Sequence, residues 1–160
     1  MAIHRLHFEE FDEVDYELIA IHTSLEDFRL AYFINQKLPV LLSKNKNEIQ
    51  INIKEGTTFF SRFFFENIEK DSCWNLIQNK NEVVLNNQEI KQNLFENTMM
   101  NVATKVFLLP EMKKVDFFLK IENSEMASTE IIKKINSIRS LSAAYSVETS
   151  TIKSKNNLIF

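Results

Sequence analysis

Gly56 is the only glycine in 160 residues, and that scarcity restricts the backbone more than any motif the chain contains. Loops that cradle phosphate need glycine because their amides must approach the ligand closely, often at positive φ. A G-x-G-x-x-G dinucleotide loop, a G-x-x-x-x-G-K phosphate loop and a G-x-S-x-G nucleophile elbow are all excluded. Turns are expected to fall to asparagine, as in "SKNKN", "QNKNE" and "LNNQ", since Asn enters the left-handed region more readily than most residues.

The length fits one domain spanning 1–160, enough to bury a conventional core. Hydrophobic residues at 44% and charged residues at 26% exclude a disordered chain. A net charge of −3 gives no general attraction to nucleic acid or to an anionic membrane, so neither is an expected partner. Cys73 is alone, which suits a reducing compartment. The first residues meet charge early and no apolar run approaches the ~20 residues of a membrane helix. The expected location is the cytoplasm.

Periodicity sets the organisation. "YELIAIHT" (Tyr16–Thr23) is apolar on both faces and reads as a central strand. A helix over about 24–38 follows, with Ser24 as cap, Glu26 and Asp27 at its positive end and Pro39 disfavouring continuation. Leu25, Phe28, Ala31 and Tyr32, widened by Leu30, Phe33 and Ile34, predict a well buried helix. "EIQINIK" alternates as a half-buried strand, and Glu55-Gly56 reads as a hairpin turn into "TTFFSRFFFEN". There Phe59, Ser61, Phe63 and Phe65 share one face, and Phe60, Arg62 and Phe64 the other. Ser72–Gln78 continues as a strand bearing Trp74 and Leu76.

Residues Asn79–Asn97 read as a loop with a short strand near Val83–Leu85 and a helical turn. "NVATKVFLL" is a strand ending at Pro110, which cannot donate to a ladder. In "KVDFFLKIE", Val115, Phe117, Leu119 and Ile121 alternate against Asp116, Phe118, Lys120 and Glu122. A second helix over about 125–139 carries Ile131, Ile135 and Ile138, "SAAYSVETSTIKS" returns as a strand, and "NNLIF" docks as a tail. The expectation is an α+β fold: a mainly antiparallel sheet of about six to eight strands with two principal helices.

Pro110 pre-sets φ for a turn, so "FLLPEMKKVDFFLKIE" reads as strand, corner, strand. This stretch resembles the signature of the IPExxxVDY family of bacterial proteins. Here it stands as Leu109-Pro110-Glu111, Met112-Lys113-Lys114, then Val115-Asp116-Phe117, with Leu109 in place of Ile and Phe117 in place of Tyr. "FDEVDYELIAIHTSLEDFRLAYFINQKL" is similar to that family's opening segment. The family carries no assigned activity, so the resemblance implies kinship without a mechanism. At Phe117 a ring without a hydroxyl could pack but could not act as an acid.

Pro110, Glu111 and Asp116 are the signature residues of the corner. Two carboxylates beside Lys113 and Lys114 could serve as acid and base or hold a cation. Equally, Glu111 could accept backbone N–H groups while Asp116 pairs with a lysine, and the lack of a third ligand favours that structural reading. His4-x-x-His7 beside Glu9 and Glu10 has metal-like spacing but no partner cluster, so no metal or other cofactor is expected. His22 could be a base near a helix start, and Cys73 beside Trp74 reads as an inert thiol. The acidic run "FEEFDEVDYE" reads as a solvated face, and "FFSRFFFE" lacks the glycine and basic flanks of an RNA platform.

Fourteen Phe, many on opposite strand faces, exceed what two helices on one sheet face cover. The leading reading is therefore a non-catalytic interaction module, a homodimer or a binder of another protein, joined through Phe60, Arg62 and Phe64. The alternative is a small-molecule-binding protein or enzyme with a Phe-lined pocket and Glu111, Asp116 or His22 at its mouth.

Overall fold

The computed structural model describes residues 15–84 and 103–160. The fold is α+β. Strands β1 (Tyr16–Thr23), β2 (Ser43–Lys44), β5 (Arg62–Asn67), β6 (Ser72–Gln78), β9 (Phe117–Glu122) and β10 (Leu141–Val147) form one antiparallel sheet in the order β10-β1-β9-β6-β5-β2. Two small hairpins, β3 (Ile49–Ile53) with β4 (Gly56–Phe60) and β7 (Lys80–Val84) with β8 (Ala103–Phe107), stand outside it. Helices α1 (Asp27–Lys37) and α2 (Ser128–Asn136) complete the element set. Among the described residues no helix is long and apolar enough to cross a membrane.

Both faces of the sheet are covered, which is why β1, β6 and β9 are apolar on both sides. On one face Ile19, Ile21, Trp74, Leu76, Phe117, Leu119 and Ile121 pack against Leu30 and Ile34 of α1 and Ile131 and Ile135 of α2. On the other, Leu18, Ala20, Ile77 and Phe118 meet Ile49 and Phe60 of one hairpin and Val83 and Val106 of the other. Leu158 of the tail joins the same core from a short 3-10 turn at Lys155–Leu158.

Both helices begin later than their spacing predicts. Ser24 does not cap: the Leu25 N–H donates to Thr23 Oγ1 at 3.1 Å, and α1 starts after Glu26. The Met126 N–H likewise donates to Ser124 Oγ at 3.1 Å ahead of α2. In each case a local hydroxyl bond competes with the first helical turn. Leu38 is extended, as a residue before Pro39 should be.

The aromatic stretch is not one strand. Ser61 breaks it, so Thr57–Phe60 pair with the β3 hairpin while Arg62–Asn67 pair with β6. The hairpin turn itself is Lys54–Glu55, and Gly56 opens β4 opposite Ile53. Val115 does not share a face with Phe117: it precedes β9, in the corner, and packs into the hairpin-side core. No asparagine of "SKNKN" or "QNKNE" takes positive φ; among the described residues the non-glycine positions that do are Asp71 and Asn123. Leu85, the helical turn expected before Asn97, and "LNNQ" lie outside the described residues.

Candidate functional site

The corner between β8 and β9 gathers the signature residues. Pro110 occupies the first position of a 3-10 turn, Pro110–Met112, closed by the Met112 N–H on Leu109 O at 2.9 Å. The corner is wound around Asn79, which is wholly buried. Its Nδ2 donates to Met112 O at 3.0 Å and Val115 O at 2.8 Å, and its Oδ1 accepts the Leu109 N–H at 2.9 Å.

Glu111 and Asp116 leave this corner in different service. Glu111 accepts the N–H groups of Lys153 and Ser154 and the Ser154 hydroxyl, each at 2.9 Å, and so pins the tail. Partial burial would raise its pKa, but the bonds from Ser154 and Lys153 outweigh that and hold it below the ordinary 4.5. Asp116 Oδ2 accepts the Thr23 N–H at 2.9 Å, and Oδ1 pairs with Lys80 Nζ at 2.7 Å. His22 joins neither carboxylate; its Nε2 lies 2.9 Å from the Tyr145 hydroxyl and the two rings stack.

Lys80 lies at the rim of two open hollows, and Asp116 at the rim of one of them. One, of about 330 Å³, is lined by Thr23, Leu25, Glu26, Asp27, Gln78 and Phe117 besides the pair. The other, of about 530 Å³, is lined by Lys80, Asn81, Glu82, Lys105, Phe107 and Lys113. Among the described residues each is lined by one Phe, Phe117 or Phe107, because Phe60, Phe63 and Phe118 are spent in the cores. Sequence pattern did not single out Asn79, whose side-chain partners lie 30 to 36 residues away, or Lys105, which reaches the hollow through the pairing of β8 with β7.

The expected interface triplet is not a surface strip. Phe60 is 0% exposed because the β3–β4 hairpin folds its ring onto the sheet. Arg62 is half-buried with Phe160 stacked over its guanidinium at 4.7 Å, and desolvation lowers its pKa. Phe64 is half-buried on β5. Phe59 of the same stretch, Tyr145 and Phe160 are exposed, but the rings most open to solvent among the described residues are on α1, where Phe28 is 57% and Tyr32 59% exposed. At 3.6 residues per turn Tyr32 lies about 160° round the helix from buried Ile34, so the sheet takes one face and leaves this one.

Cys73 is half-buried; desolvation raises its pKa, against which the Asn75 Nδ2 bond to Sγ at 3.4 Å acts only in part. Trp74, one residue on, faces the helix-side core. Among the described residues no three His, Cys, Asp or Glu side chains gather to hold a metal. His4 and His7, with residues 8–14 of the acidic run, lie outside them. Compared with protein-family models, curated proteins and solved structures, the chain matches none.

Proposed function

We propose that this protein is a non-catalytic interaction module that self-associates through the outer face of α1. The observation that carries the reading is the pair Phe28 and Tyr32, one turn apart and both more than half exposed. Each ring offers roughly 100 Å² of apolar surface. At ~25 cal/mol per Å² the pair supplies ~5 kcal/mol per protomer before association costs of similar size. The rings are thus anchors, to be surrounded by polar contacts from Arg29 and Gln36 on the same face. The Tyr32 hydroxyl already accepts a bond from Gln36 Nε2 at 2.8 Å, which fixes the ring outward.

Two points support a scaffold over an enzyme. Glu111 and Asp116 are both engaged in holding chain segments, and His22 is bonded elsewhere. Kinship with the IPExxxVDY family rests on Leu109-Pro110-Glu111 and Val115-Asp116-Phe117, each of which has a structural task at the corner. Cys73, the only cysteine in the sequence, forms no intramolecular disulfide and is compatible with the reducing cytoplasm. Light scattering tests the module directly. A mass of twice 18.8 kDa at about 100 µM, falling to one copy in Phe28→Lys/Tyr32→Lys, is the expected result. A single-copy mass for the unaltered chain overturns self-association.

A further inference from the structure

The geometry points to a binding site for a compact phosphate-bearing anion in the hollow beside the 109–116 corner. Lys80 of β7, Lys105 of β8 and Lys113 of the corner line one space of about 530 Å³, within the range of small-ligand pockets. They come from three separate segments of the chain that meet at this hollow. Lys80 is anchored by Asp116 at 2.7 Å and by Lys114 O at 3.5 Å. Lys113 stands on a corner that Asn79 fixes from within, and its Nζ lies 5.8 Å from the Phe107 ring centre. Among the described residues, no carboxylate comes within 4.0 Å of Lys105 or Lys113.

Charge decides the class of ligand. Among the described residues, three lysines share this hollow with one lining carboxylate, Glu82, and a second, Asp116, is bound to Lys80. The balance there is positive in a chain whose net charge is −3. A carboxylate ligand offers one planar edge, which an arginine fork suits better than separate point charges. A phosphate group presents oxygens in several directions and more than one charge, which matches three lysines and outweighs repulsion from Glu82. Asn81 is committed to Phe59 O and does not compete for the ligand. Phe107 lines the same hollow and offers apolar surface to any aromatic group carried by the phosphate.

The test is an amide NMR titration at constant ionic strength with two probes, inorganic pyrophosphate and phenyl phosphate, to about 10 mM. Saturable shifts confined to residues 80–82, 105–107 and 113 are expected with at least one probe. Tighter binding of pyrophosphate assigns a polyphosphate, and tighter binding of phenyl phosphate assigns an aromatic phosphoester. Lys105→Gln/Lys113→Gln should weaken the better probe by at least about tenfold. Both side chains are exposed, so the rest of the spectrum should stay unchanged and report an intact fold. No saturable shift with either probe, shifts centred elsewhere, or equal affinity in the double variant overturns the site.

Discussion

Asn79 has every polar group engaged inside the fold. Its side chain makes three bonds to the corner, its N–H donates to Asp116 O at 3.0 Å, and its carbonyl accepts the Leu108 N–H at 2.8 Å. Asn79→Ala would strand the Leu109 N–H and the Val115 carbonyl and leave Met112 O with the Val115 N–H alone, at a cost of about 2–4 kcal/mol in urea unfolding. Asn79→Asp should cost at least as much, because a carboxylate would then face the carbonyls of Met112 and Val115. An Asp variant as stable as the parent would contradict the bracket. Gly56 is the second residue with a sharp local demand. Its φ of +145° is one that side chains rarely adopt, and an added Cβ would lie 3.1 Å from Val83 Cγ1. Gly56→Ala should therefore destabilise by about 1–2 kcal/mol, measured by the same unfolding curves. The sequence made Gly56 conspicuous by its solitude but gave "QNKNE" only the look of a turn. What makes Asn79 structural is chain thirty and more residues downstream, and local polarity carries no record of that.

Asparagine does similar work at both margins of the main sheet. Asn35 of α1 donates to Leu42 O at 3.0 Å and accepts the Leu42 N–H at 2.8 Å. Asn136 of α2 donates to Ala144 O at 3.0 Å and accepts the Ala144 N–H at 2.9 Å. Since β10 is an edge strand, Asn136 occupies backbone groups that another strand could otherwise pair with. Asn136→Ala should cost about 1–2 kcal/mol and speed exchange of the Ala144 amide, and it should raise scattering on concentration as the edge opens. If the Ala144 amide exchanges at the parent's rate, the edge is guarded by something else. Much of the element level was legible: β1 and β6 occupy the bounds their apolar patterns predict, and α2 buries Ile131 and Ile135 as spaced. The break at Ser61 was not, because side-chain alternation runs through it undisturbed from Phe59 to Phe65. Only the tertiary choice to turn β3–β4 off the sheet separates the two strands. In α1 the apolar residues circle most of the helix, so periodicity alone could not say that Phe28 and Tyr32 would be left outside.

Across the whole molecule, the problem set by so many Phe residues is solved by covering both faces of the sheet from within one chain. The hairpins cover the apolar half of the second face, and the tail covers a polar half. Beneath the tail, Lys120 is nearly buried: its Nζ donates to Leu158 O at 2.9 Å, pairs with Glu122 at 3.1 Å and lies over the rings of Tyr16 and Phe160. Alternation put Lys120 on a polar face, yet nothing in the strand announced that a segment 38 residues later would close over it. Asn157 Nδ2 adds a bond to Leu108 O at 2.7 Å, and Glu111 holds the entry to the tail at Lys153 and Ser154. That last contact makes docking sensitive to acid. Burial is the largest single influence on the Glu111 carboxyl and raises its pKa, but the bonds from Ser154, its own backbone and Lys153 together outweigh it and hold the folded-state pKa below the ordinary 4.5. A depressed carboxyl pKa contributes stability that is complete above the unfolded value and is lost as pH falls through the folded one. The window therefore begins near pH 4.5 and extends below it. Glu111→Gln cannot supply the charged acceptor, so it should be less stable than the parent at about pH 7, and the gap should narrow as pH drops towards about 3. Amide shifts of Lys153 and Ser154 followed across that range report the same event at the tail, titrating in the parent and flat in the variant. A stability gap that stays constant from neutral pH to about pH 3 would mean that the carboxylate charge is not what holds the tail down.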